Sequence, residues 1–455
     1  MKTGIKIIAN ALGASLMLLS PLSAKGKSFV RQLQLKAELE RKVMPANSRQ
    51  QALIKITIQA PESNETSKRS ARVNLAIVLD KSGSMGTQNK MEKAKEAAIT
   101  ALKMLGPDDV FSLIVYDNDV RTLIPATPVK DKAEIEAAIR RITPGGSTAL
   151  FAGVSVGANE VRKNSMEKFV NRIVLLSDGL ANVGPSAPGD LGRLGASLIK
   201  EGISVSTVGV GNDYNEDLMT ALSQNSDGNF YFVENSNDLP MIFSKELGSA
   251  LQVAAKSLNL RIKCPAGIKP QGILGHECKI NGNSIDLYFN QVYGGHGKSL
   301  ILQVEVPPEK AQQTLEIANV ELAYKDATNG FSRSANKKVE ASFSASNEAV
   351  TKSINKAVMD EVAIQQSAVI KEKAIKEADK GDFKKAQQLL DESKKILKKT
   401  AEITGNVRLE KKMEQVEEEK SDLKKSQTNM DYYSNTRKKI KGRSYQDRNS
   451  QMYKQ

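Results

Sequence analysis

Three short segments of this chain carry oxygen donors of the kind that bind a hard cation. The first is Asp80-Lys81-Ser82-Gly83-Ser84-Met85-Gly86, which sets a carboxylate and two hydroxyls at every second position, with glycines that permit tight backbone geometry. The second, Pro144-Gly145-Gly146-Ser147-Thr148-Ala149-Leu150, places the Thr148 hydroxyl on a glycine-rich loop. The third, Arg172-Ile173-Val174-Leu175-Leu176-Ser177-Asp178-Gly179, ends an apolar run on Asp178. Asp80, Ser82 and Ser84 offer neither sulfur nor nitrogen, a donor set suited to Mg²⁺ or Mn²⁺ and poorly suited to zinc. A second reading is open at the same place, because Ser or Asp ahead of a helix commonly caps it. The segments supply no nucleophile–base pair. The only histidines, His276 and His296, lie well downstream, and no Ser-His-Asp or Cys-His arrangement is recognisable. Binding is therefore expected ahead of catalysis. A metal-assisted hydrolase would need Asp117, Asp119 or Asp213 as its base, and all three also fit turn chemistry.

The elements that must position these residues follow from the pattern around them. Val73 to Leu79 is a short apolar run rich in β-branched residues and not clearly alternating, which suits a strand buried on both faces of a parallel sheet. Lys90 to Leu105 has Met91, Ala94, Ala98, Leu102 and Leu105 near a helical period. Strand-like runs at 109–116, 172–177, 203–210 and 229–233 alternate with helical stretches at 131–142, 149–162, 189–201, 215–223 and 237–251. That alternation predicts an α/β fold, a doubly wound and mostly parallel sheet covered on both faces, with ligands at its carboxyl edge. The Gly-Val-Gly at 209–211 lacks the third glycine and the following helix of a dinucleotide fingerprint.

With those segments in view, the stretch from about 73 to 250 resembles the von Willebrand factor A (VWA) domain, and the three donor segments resemble its metal-ion-dependent adhesion site, with all five positions intact. The resemblance implies that Ser82, Ser84 and Thr148 ligate the cation directly and that Asp80 and Asp178 hold it directly or through water. It implies an open coordination shell completed by a carboxylate of a protein partner, hence cation-dependent binding or adhesion. The loop from Leu180 to Pro188, with Asn182, Gly184 and Pro185, is expected to meet that partner, because recognition is commonly carried by loops on a rigid scaffold. Exported bacterial proteins of this type often have β-structured and helical flanks, including a strand ahead of the domain that pairs with a later sheet.

The flanks fit that outline. Residues 1–24 read as an export signal: Lys2 and Lys6, an apolar run from Ile5 to Leu22, and small Ala24 before Lys25. An uncleaved membrane anchor is the alternative, and export implies a periplasmic, envelope-associated or extracellular protein. The 25–70 segment should hold a short helix from Gln34 to Lys42 and a strand at 52–58, ahead of the VWA-like region at 71–252. Residues 256–345 read as a β-rich, sandwich-like domain, with Asn281-Gly282 as a tight turn. Cys264 and Cys278, the only cysteines, could form one disulfide after export.

From 352 to 425 the chain becomes rich in Lys, Glu, Gln and Ala and reads as helices over 355–378, 382–397 and 407–425. Ala374, Ala378, Phe383, Ala386 and Leu390 would form the seam of an antiparallel pair. Residues 426–455 are expected to form a basic, flexible tail. The chain carries a formal net charge of +14, but its charges are mostly mixed in sign, as on solvated helical faces. Only Arg437-Lys438-Lys439-Ile440-Lys441-Gly442-Arg443 is a true basic run. An anionic envelope surface suits that run better than nucleic acid does, given the export signal.

Overall fold

The computed structural model describes residues 32–62, 71–164 and 167–449. The expected export signal and the last six residues lie outside the described residues, and among the described ones no helix is long and apolar enough to cross a membrane.

The chain opens with strands β1 (Gln34–Leu39), β2 (Val43–Pro45) and β3 (Gln50–Gln59). The α/β region follows with β4 (Arg72–Asp80), α1 (Lys90–Met104), β5 (Val110–Tyr116), β6 (Val120–Pro128), α2 (Lys132–Arg140) and α3 (Leu150–Arg162). It continues with β7 (Phe169–Ser177), α4 (Pro188–Leu198), β8 (Ile203–Val210), α5 (Glu216–Asn225), β9 (Phe230–Val233) and α6 (Leu239–Leu251). The sheet order is β6-β5-β4-β7-β8-β9, parallel throughout except for the antiparallel β6.

Central β4 explains why its sequence does not alternate. Its odd residues Val73, Leu75, Ile77 and Leu79 join a core with α1, α2 and α6, whereas Ala76 and Val78 face a second core with α3, α4 and α5. Each fully buried Val, Leu or Ile contributes about 1.5–3 kcal/mol. Both faces therefore select apolar residues, and the strand's carboxyl end is held rigidly.

Strands β10 (Val253–Lys263), β11 (Lys269–Ile273), β12 (Ile280–Asn281), β13 (Ser284–Tyr293), β14 (Gly297–Val306), β15 (Thr314–Asp326) and β16 (Ser332–Ser344) follow. They form two sheets together with the amino-terminal strands, ordered β1-β3-β14-β11 and β12-β13-β10-β15-β16-β2, around one apolar core. The α/β region is thus inserted between β3 and β10 of this β-structured region. β3 pairs antiparallel with β14 along its whole length, Gln59 opposite Gly297 and Gln50 opposite Val306.

Two expectations are corrected here. The helix expected over Gln34–Lys42 is instead strand β1, paired with β3 from Gln34↔Gln59 to Leu39↔Ile54. Ala37 and Leu39 bury their side chains on the core face, and β3 supplies a ladder that a short polar helix would lack. The disulfide is absent: Cys264 and Cys278 are free thiols. Cys264 is buried in the sandwich core and Cys278 packs at that core's edge. Burial pushes the Cys264 thiol up to about 11, where it is inert.

Helices α7 (Asn347–Lys352), α8 (Lys356–Asp379), α9 (Phe383–Thr404), α10 (Val407–Lys425) and α11 (Met430–Arg448) complete the chain. Asn355 and Asp382 cap α8 and α9 through their side chains, and Ala374, Ala378, Ala386 and Leu390 are buried in the helical core. The stretch expected to be a flexible basic tail is largely helix α11, packed against the α/β region. Tyr445 enters the α/β core, donating its hydroxyl to the Gly228 carbonyl at 2.8 Å and meeting Phe230 edge-on. The basic run is engaged by carboxylates of this same chain. Arg437 pairs with Glu216, Asp217 and Asp379, Lys438 with Glu216, Lys439 with Glu234, Lys441 with Asp217, and Arg443 with Glu418 and Glu419. It is not an open basic patch.

Candidate functional site

The structure brings the three donor segments together at the carboxyl edge of the parallel sheet. β4 delivers Asp80 to the rim and its neighbour β7 delivers Asp178. The loop carrying Thr148 is fastened to the loop after β4 by two backbone bonds, Gly83 N–H to the Gly146 carbonyl (3.0 Å) and Gly145 N–H to the Lys81 carbonyl (2.6 Å). Gly146 has φ +87° and a side chain there would collide with Asp117, so the glycine is required by both backbone and space.

The polar groups are tightly linked. Ser82 Oγ and Ser84 Oγ are 3.1 Å apart, and Ser84 Oγ donates to Asp178 Oδ1 at 2.7 Å. Asp80 Oδ1 accepts from the Ser82 N–H at 2.9 Å, and Asp80 Oδ2 from Ser177 Oγ at 2.7 Å. Asp80 and Asp178 are fully buried. Burial pushes the Asp80 carboxyl up to about 6, against the opposing pull of its bonds from Ser82 and Ser177. The capping alternative does not describe these serines. Neither Ser82, at the start of the short 3₁₀ turn, nor Asn89, ahead of α1, makes a side-chain cap bond.

Gly179 shows what the donors surround. A Cβ on this glycine would stand 3.1 Å from Thr148 Oγ1, 3.5 Å from Ser84 Oγ and 3.8 Å from Ser82 Oγ. Three hydroxyls thus converge on a space kept open by the missing side chain, beside two buried carboxylates. This donor set fits a small hard cation in type and number. Among the described residues no group of three or more His, Cys, Asp and Glu side chains could hold a metal ion; the donors here are mainly neutral hydroxyls.

Two neighbours escaped the sequence reading. Lys90, the first residue of α1, donates from Nζ to Asp178 Oδ2 at 2.8 Å, and both side chains are shielded from solvent. Ser177 orients Asp80. Ser177 adjoins Asp178 at a strand end, which is a usable signal; a lysine opening a helix gives none. Of the expected partner contacts, Asn182 braces the site, its Oδ1 accepting from the Thr148 N–H at 2.9 Å. Gly184 and Pro185 are exposed on the same loop. Leu180 and Val183 beside them are 59% and 37% exposed, apolar side chains facing solvent next to the donor cluster. The candidate bases are placed differently: Asp119 and Asp213 are exposed, while Asp117 pairs with Lys81 and accepts from the Asp119 N–H. Although partial burial pushes the Asp117 carboxyl up, the Lys81 bond holds it below the usual carboxylate range.

Comparison with known proteins agrees with this fold. Residues 74–245 match the von Willebrand factor type A domain. A computed superposition with the von Willebrand factor type A protein from Catenulispora acidiphila gives a TM-score of 0.68, at 18% identity over 87% of this chain and 90% of that one. The ArnB paralogue VWA2 from Sulfolobus acidocaldarius gives 0.62, also at 18% identity, over 90% and 99%. At such identity the likeness concerns the fold, and it extends to the flanking regions. In sequence, the chain is 26% identical over 270 residues to the uncharacterised protein YfbK of Escherichia coli, covering 58% of this chain and 46% of that relative, so it spans about half the relative's length. Fold and matched segment together show a VWA domain at residues 74–245, in a chain related in fold to other VWA proteins.

Proposed function

We propose that this protein binds a protein partner in a divalent-cation-dependent way, through an Asp or Glu of that partner, as an exported adhesion or interaction module of the cell envelope. The observation that carries the reading is the convergence of Thr148, Ser84 and Ser82 on the space above Gly179. Ser82, Ser84 and Thr148 would hold Mg²⁺ or Mn²⁺, with Asp80 and Asp178 balancing its charge directly or through water. When bound, the cation supplies a residual positive charge that neutral hydroxyl ligands do not quench, and a partner carboxylate answers it. Leu180 and Val183 would add apolar contact around that polar centre, the usual division between a buried anchor and its surroundings. Export rests on the residue pattern at 1–24. Binding is favoured over metal-assisted hydrolysis because Asp117, the least exposed of the candidate bases, is already engaged by Lys81.

The test is calorimetric titration of Mg²⁺ and Mn²⁺ into the full chain and into Thr148→Ala and Ser84→Ala, with thermal melts in EDTA. Saturable binding in the parent, weakened at least tenfold in both folded variants, is the expected result (about 1.4 kcal/mol or more). No binding by the folded parent would sink the cation site. Unfolding of the domain by EDTA alone would instead make the cation part of a structural scaffold.

A further inference from the structure

The two buried carboxylates of the rim site are held in different ways. Asp80 accepts from neutral donors, the Ser82 N–H at 2.9 Å and the Ser177 hydroxyl at 2.7 Å. Asp178 divides its oxygens between a neutral donor and a charge. Its Oδ1 accepts from Ser84 Oγ at 2.7 Å, on the side of the donor hydroxyls, and its Oδ2 accepts from Lys90 Nζ at 2.8 Å. The ammonium therefore answers the Asp178 charge from the oxygen that does not meet Ser84.

The lysine is placed there against local preference. A cation at the start of a helix opposes the helix dipole, and a buried ammonium loses its hydration. Lys90 nonetheless opens α1, with 5% of its side chain exposed. The preceding turn is shaped to deliver it. Gln88 and Asn89 both adopt left-handed backbone, φ +52° and +58°, which costs energy in residues other than glycine. In that conformation Asn89 makes no side-chain cap to α1, whereas Asn215, Asn355, Asn406 and Asn429 each cap the helix that follows them. Gly211, just past β8, closes over the ammonium, and a Cβ there would stand 3.4 Å from Lys90 Nζ. A buried ion pair is a weak source of stability, because desolvation offsets the attraction. Fold stability alone does not account for a placement that also strains a turn and gives up a cap.

We propose that Lys90 is a positioning residue that tunes the rim site: it answers the Asp178 charge, so that a bound divalent cation keeps more of its own charge for the partner carboxylate. This rests on the cation reading above, and it assigns the balance between cation affinity and partner affinity to one side chain. An uncompensated Asp178 would hold the cation more tightly and leave less positive charge facing outward. The Lys90 ammonium shifts that balance toward the partner.

The test measures both affinities in the full chain and in two variants, Lys90→Met and Lys90→Gln. Gln keeps a polar donor without the charge, and it decides the matter if Lys90→Met fails to fold. Calorimetry with Mn²⁺ gives the cation affinity. Paramagnetic broadening of the carboxyl carbon resonance of isotope-labelled acetate, with protein in excess over Mn²⁺, gives the affinity of the loaded site for a carboxylate. The folded variants should bind Mn²⁺ about tenfold or more tightly than the parent, and once loaded should bind acetate about threefold or more weakly. A merely structural lesion would weaken both affinities together, so the opposite signs separate tuning from packing. Any other pattern, in a chain whose parent binds Mn²⁺, overturns the role of Lys90 and leaves the cation site standing. A folded parent that does not bind Mn²⁺ overturns the cation reading and the tuning with it.

Discussion

Strand β4 and helix α11 are both enclosed by the rest of the chain, the first between two layers of helices and the second across the flank of the α/β region. They reach that position by different physics. Between Asn74 and Asp80, which are hydrogen-bonded, β4 is buried through apolar side chains that need only to leave water. α11 buries Lys438, Asp447 and Arg448 along with Tyr433, Ile440 and Tyr445. It is held by carboxylates contributed by α5, α8 and α10 and by the end of β9. Apolar burial is non-directional and tolerates many arrangements, whereas charge pairing works only where each partner is already in place. The rim site uses the first kind of element to aim residues of the second kind: rigid apolar strands carry Asp80 and Asp178 to fixed positions.

The largest effect should come from an ion pair placed inside the apolar region. Arg172 and Glu246 are buried together at 2.8 Å, and Arg172 also bonds Tyr293 of β13. Arg172→Met leaves the buried Glu246 carboxyl without its cation, and should lose about 3–5 kcal/mol in urea denaturation. A loss below about 1 kcal/mol would mean that packing alone holds this seam. Next, Tyr445→Ala removes the aromatic anchor of α11 and should cost about 3 kcal/mol, with exchange accelerated over 430–448. If that helix stays protected, its ion pairs suffice without the anchor. Arg437→Ala, which breaks pairs to Glu216, Asp217 and Asp379, should cost about 2 kcal/mol at low ionic strength and less in 1 M NaCl. A loss unchanged by salt would place the contribution in packing.

The smallest effect concerns Glu40, a buried carboxylate that among the described residues pairs with its neighbour Arg41 alone, at 3.5 Å. Burial pushes Glu40 up to about 7, against weaker pulls from the Leu53 N–H and Arg41. Its folded pKa lies above its unfolded value, so the folded protein keeps the proton longer. Stability attached to this group is present below about pH 4.5 and is lost as pH rises to about 7. Glu40→Gln should therefore gain about 1–2 kcal/mol at pH 8 and flatten the profile between those limits. A stability–pH curve parallel to the parent's would exclude Glu40 as its source.

Much of the α/β region was legible because its signals are local. Val73–Leu79 announces a doubly buried strand, and the spacing of Asp80, Ser82 and Ser84 announces a donor loop. β6 was not foreseen: Val120–Pro128 contains Pro125, lies at the sheet edge, and follows β5 through two register shifts. Its existence depends on β5 rather than on its own pattern. Gln34–Leu39 was misread for a related reason, since its choice of strand over helix depends on β3. Lys90 was missed because its role depends on Asp178, 88 residues away in the sequence.

By itself, the sequence determined most of the elements in the α/β region, the chemistry of its donors, and the antiparallel helical pair near the carboxyl end. These follow from side-chain period, turn residues and functional groups, which act over a few neighbouring positions. The tertiary structure alone decided that three hydroxyls share the space above Gly179, that the sandwich is assembled from both sides of an inserted region, that two cysteines stay apart, and that a basic run is neutralised within the molecule. Each of these depends on distances between residues far apart in the chain, set by burial of the whole core and not encoded at any one position.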